Sequence, residues 1–148
     1  NKNCITKSEK KMKKNEVVQM LMQISKIDLR GRKLTRYLCA NMNILSNYIN
    51  TESKLFEVEA MKKGFDLKAI NDIQLLLKRE DGQSMDQKIA SIPKEDFEYF
   101  TKFENFRLEY FDAEAKIDLI HIREKLLPKN ISTSERMVIE SLIKIPRI

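Results

Sequence analysis

From Arg32 to Lys63 the chain runs 32 residues without a glycine or a proline, and no other feature restricts its fold so strongly. Leu34, Leu38, Asn41, Leu45, Tyr48, Glu52, Leu55 and Glu59 recur there at alternating spacings of three and four, which is the period of one helix face. At 1.5 Å per residue such a helix reaches roughly 48 Å. That is longer than a compact domain of this size needs, so part of it is expected to project or to meet a partner. Asn41, Glu52 and Glu59 make the seam too polar for a regular coiled coil, while Tyr37, Met42, Ile44, Ile49, Phe56 and Val58 widen the apolar surface. Gly31 marks a turn before this helix, and Gly64 suits the left-handed residue that commonly ends one.

The remaining elements are shorter. Val17, Val18, Met20, Leu21, Ile24 and Ile27 predict an amphipathic helix over about 15–27, with Asn15 as a cap. Leu67, Ile70, Ile73, Leu76 and Leu77 predict another over 66–79, closed by Lys78 and Arg79 where cations suit the helix dipole. The polar stretch 80–92, with its Asp81-Gly82 turn, reads as a linker. Pro93, Glu95 and Asp96 then open a helix that carries seven of the eleven aromatic residues, from Phe97 to Phe111. This aromatic helix is expected to supply the main core.

Residues 115–122, Ala-Lys-Ile-Asp-Leu-Ile-His-Ile, fit either a continuation of that helix or, from their β-branched content, a strand. A lone strand is unstable, so it would pair with 80–91 or with a second copy of the chain. Ser132 and Glu135 form a capping-box pattern ahead of Met137, Val138, Leu142 and Ile143, and Pro146 ends that last helix. The expected fold is therefore mainly α, with a short N-terminal helix, a long central helix, an aromatic core helix, a C-terminal helix and one strand or hairpin near 115–122.

Charge divides the 148 residues unevenly. The net charge is +6, and residues 1–14 hold six lysines against one glutamate, which leaves only +1 for the rest. A lysine-dense end buries too little apolar surface to offset its ordering entropy. Residues 1–13 are therefore expected to be a flexible tail ahead of one helical domain at 14–148. Lys10, Lys11, Lys13 and Lys14 in that region, and Arg30, Arg32, Lys33 and Arg36 around Gly31, are candidate contacts to nucleic-acid phosphate. Residues 94–114 instead carry seven acids against three bases. Such a face could imitate phosphate in an inhibitor of a host defence or nucleic-acid enzyme.

Chemistry-bearing patterns are scarce. His121 is the only histidine, Cys4 and Cys39 stand 35 residues apart, and no glycine-rich phosphate loop or zinc-type spacing occurs. Carboxylate pairs such as Glu95 with Glu98 fall at ordinary helical spacing, and Asp81-Gly82 lacks the alternating oxygen ligands of a calcium loop. No apolar run approaches the roughly 18 residues that would span a bilayer. The expectation is a non-enzymatic protein with no cofactor, no metal and no membrane contact.

Asn15-Glu-Val-Val, Tyr37-Leu-Cys-Ala-Asn41, Glu98 to Ala115 running into Lys116-Ile-Asp-Leu-Ile-His-Ile, and Ser132 to Ile143 together resemble a family of small phage-encoded helical proteins of unknown function. The resemblance covers roughly 12–144, with the helix at 66–79 as an insert. Met12-Lys-Lys-Asn-Glu looks like a natural start for such a protein, which sets residues 1–11 apart as an extension. The resemblance implies a phage protein that acts by binding, in the virion or the host cytoplasm, in assembly or against a host system. The residues expected to meet a protein partner or a second copy are Tyr37, Ile44, Tyr48 and Leu55 on the long helix and Ile117, Leu119 and Ile122 on the isoleucine-rich edge.

Overall fold

The computed structural model describes residues 7–28 and 31–140. The chain is mainly helical, with β1 (Lys7–Lys13), α1 (Lys14–Ser25), α2 (Arg32–Lys62), α3 (Leu67–Lys78), α4 (Met85–Ser91), α5 (Lys94–Phe111), β2 (Glu114–Ile120) and α6 (Thr133–Glu140). A one-turn 3-10 helix, Glu124–Leu126, precedes α6. The helix expected over 32–63 is present almost to the residue. It stops where Gly64 takes φ +90°. The Phe65 N–H donates to the Ala60 carbonyl and the Gly64 N–H to that of Met61, so two carbonyls of the last turn are satisfied.

The chain forms two compact units instead of the single domain expected for 14–148. The first comprises the described residues within 7–51 and 112–140. Its core is aliphatic, with Val17, Ile24, Leu38, Leu45, Leu119, Ile122 and Ile139 almost wholly buried. β1 and β2 pair antiparallel, with Lys10 opposite Ile117 and Met12 opposite Ala115.

Residues 7–13 are therefore a strand and not part of a flexible tail, and 7–11 belong to the fold; residues 1–6 lie outside the described residues. The strand that 115–122 needed as a partner is supplied by neither 80–91 nor a second copy. Lysine-rich β1 can take that place because its ladder is made by the main chain, while Lys7, Lys11 and Lys13 keep their side chains in water. At the end of β2, buried Asn41 of α2 donates to the Ile120 carbonyl at 3.0 Å and accepts from the Ile120 N–H at 2.7 Å.

The second unit is 52–111. Phe56, Ala60, Ile70 and Phe103 are the buried residues of its hydrophobic cluster. The Phe56 ring lies 5.3–5.6 Å, centroid to centroid, from Phe103, Phe106, Tyr110 and Phe111. α5 therefore supplies the core of this unit only. Of its own side chains Phe103 alone is fully buried, since one face of the helix packs and the rest meets solvent.

Asp66 caps α3 by accepting from the N–H groups of Lys68 and Ala69. The stretch read as a linker holds α4, started by a reciprocal box in which Ser84 Oγ accepts from the Gln87 N–H and Gln87 Oε1 from the Ser84 N–H. The same device starts α6, where the Glu135 N–H donates to Ser132 Oγ. Leu142 and Ile143, expected in the same helix, and Pro146, expected to end it, lie outside the described residues.

Candidate interaction surface

Apolar side chains left in water are concentrated on helices. Leu55, Val58 and Met61 of α2, at successive spacings of three, are 49%, 44% and 57% exposed, and Val18 and Met22 of α1 are 39% and 53% exposed. A spacing of three places each side chain beside the next along a helix surface, so the α2 residues form one stripe. Leu55, expected at a partner contact, is thus exposed, while the neighbouring Phe56 and Ala60 are the buried residues of this part of α2.

The other expected partner residues fare differently. Tyr37, Ile44 and Tyr48 are half-buried and pack against the aliphatic core. Ile117, Leu119 and Ile122 are 4%, 1% and 0% exposed, so they are core and not contact surface. Of the two alternatives for 115–122 the strand is the one formed, over Glu114–Ile120, and its apolar face turns inward, because strand residues alternate and the inner set closes the first unit.

The expected phosphate contacts are distributed over three elements, β1, α1 and α2. Lys10 is half-buried over the Ile117 side of the sheet, and Lys11 is exposed directly opposite Lys116. Lys13 Nζ lies 2.9 Å from Asp112 Oδ1. Its pKa is raised above the ordinary lysine value of 10.5, chiefly by the hydrogen bond it donates to that carboxylate, so it is charged at neutral pH but already paired. Lys14 is the first residue of α1 and its N–H donates to the Ala113 carbonyl. Arg32, Lys33 and Arg36 are exposed on the opening turns of α2, and Arg30 lies outside the described residues.

An open groove of about 650 Å³ runs between β1 and α1, lined among others by Lys10, Lys11, Met12, Gln19 and Met20. A second, of about 410 Å³, lies in the other unit beside Phe56, Ile70 and Phe103. Nothing in the sequence of 7–13 signalled the first groove, because its second wall exists only once β1 is a strand. Among the described residues no cluster of three or more His, Cys, Asp or Glu could hold a metal ion, and no helix is long and apolar enough to cross a membrane. His121, the one histidine, follows β2 and is half-buried, and Cys39 is exposed.

These features define a mainly helical protein of two small cores with exposed apolar and basic surface. Comparison with protein-family models, with curated proteins and with solved structures finds no match to this chain.

Proposed function

We propose that this protein works by protein–protein contact and not by catalysis, as a phage-type protein that associates with copies of itself during virion assembly or in the virion. The Leu55–Val58–Met61 stripe carries this reading. A leucine, a valine and a methionine each near half exposed, side by side on one helix, leave apolar area in water that association would remove at about 25 cal/mol per Å². The pattern resemblance to small phage-encoded proteins supplies the setting.

The test is light scattering of the full chain over a range of concentrations. A mass that rises with concentration above the 17.5 kDa of one chain, and returns to it in the double variant L55K/M61K, is the expected result. A wild-type chain that stays at one-chain mass up to millimolar concentration overturns the reading, and so does an oligomer that the double variant leaves intact.

A further inference from the structure

The free edge of β1 offers a docking site of a different kind, in the other unit. Its geometry follows from four hydrogen bonds. Both backbone groups of Ile120 are taken by Asn41, so the Lys7–Ile120 position is not a hydrogen-bonded pair of the ladder. The Lys14 N–H donates to the Ala113 carbonyl at 3.0 Å, whereas the Lys13 N–H turns away from β2 and donates to Glu16 Oε1 at 2.9 Å.

In an antiparallel ladder bonded and non-bonded positions alternate. Ser8, Lys10 and Met12 therefore bond to β2, and the N–H and C=O groups of Glu9 and Lys11 point to the outer edge. Among the described residues the sheet has only these two strands, so no third strand covers that edge. Glu16 closes it at Lys13, and the groove beside α1 runs along it.

Charge selects the occupant. β1 carries four lysines against one glutamate. Lys11 faces Lys116 across a non-bonded pair, where side chains approach most closely, and like charges in that position repel. Among the described residues neither lysine has an ion-pair partner. A second copy of β1 would set +3 against +3. The chain's own segments 1–6 and 141–148 contain Lys2, Lys144 and Arg147 and no acid.

We propose that β1 takes an extended acidic segment of a partner protein as a third strand. Its main chain would bond to Glu9 and Lys11, and acidic side chains four residues apart would lie over Lys7 and Lys11, with an uncharged residue between them facing Glu9. The intervening positions face the side of the strand that carries Met12, with Met20 of α1 across the groove, and adaptable methionines suit apolar side chains there. The sequence recognised thus has apolar residues at alternate positions, and on the other face acids four residues apart with an uncharged residue between them. This inference shares with the proposed function the view that the protein acts by binding, but it uses a different surface.

The probe is the seven-residue peptide Val-Glu-Val-Gln-Val-Glu-Val, added to the full chain, with amide exchange read residue by residue. Slowed exchange at Glu9 and Lys11, with Ser8 and Lys10 unchanged, is the expected signature. A Lys-Val peptide should leave all four unchanged, and Lys11→Glu should weaken the acidic peptide at least ten-fold. Lys11→Pro removes an outward N–H and no bond to β2, so it should abolish binding while far-UV circular dichroism stays that of the wild type. If that variant misfolds, an N-methylated peptide that cannot donate from its bonding edge tests the same point on the wild type.

Unchanged exchange at Glu9 and Lys11 overturns the proposal, as does full affinity of the N-methylated peptide. Protection of the same two amides in the free protein by pairing of two β1 strands overturns it, and so does capture of an oligonucleotide in preference to the acidic peptide. The L55K/M61K variant should bind the peptide as the wild type does, so failure here leaves the test of the α2 stripe standing.

Discussion

Asn41 shows how much one side chain can decide in a fold of this size. A polar residue on an otherwise apolar seam looks like a flaw in the helix, yet it is fully buried and its amide matches, donor to acceptor and acceptor to donor, the two backbone groups of Ile120. Without that match β2 would end with an N–H and a C=O buried against α2 and unpaired. Asn41→Leu keeps a similar volume and removes both bonds. Because a buried unsatisfied group costs about 1–3 kcal/mol, the variant should lose about 2–4 kcal/mol in urea denaturation. A loss under about 0.5 kcal/mol would show that water reaches Ile120 and that the amide is dispensable.

Lys88 acts between elements. It is 8% exposed, and its ammonium donates to the carbonyl of Leu77 at 3.3 Å and to that of Arg79, the orphan acceptors at the end of α3. One residue of α4 thereby ties the two helices together. Lys88→Met retains the aliphatic stem and deletes the charge-assisted bonds, so a loss of about 1.5–3 kcal/mol is expected, with faster amide exchange confined to the last turn of α3. Unchanged exchange there would assign Lys88 to solvent. Neither Lys88 nor α4 was legible beforehand, because a seven-residue helix gives too few turns for a period to show. By contrast α2, α3 and α5 were readable nearly to their ends, since long periodic runs closed by Gly64, Asp66 and Pro93 leave little freedom. β1 was the largest omission. Its one apolar side chain among seven, Met12, carries no alternation, and the partner that makes it a strand lies about a hundred residues away. The docking edge on β1 was hidden for the same reason, whereas Leu55 on α2 was picked out for its apolarity alone.

At the scale of the molecule α2 serves two cores in succession. Leu34, Leu38 and Leu45 belong to the aliphatic cluster, Phe56 and Ala60 to the aromatic one, and the two clusters share no buried residue. This is how a 31-residue helix, about 46 Å long, finds packing along most of its length in a chain of 148 residues. If each cluster packs on its own, damage to one should not alter the cost of damage to the other. Leu38→Ala should cost about 2–5 kcal/mol through the cavity it leaves. Ala60→Gly should cost about 1–2 kcal/mol, from helix propensity and the loss of a buried methyl. Sites with no shared partners usually add, and the two clusters share no buried residue, so the double variant should lose the sum to within about 0.5 kcal/mol. A coupling energy above about 1 kcal/mol in that double-mutant cycle would mean that a strain at one end of α2 is felt at the other, and the two clusters would then have to be treated as a single core.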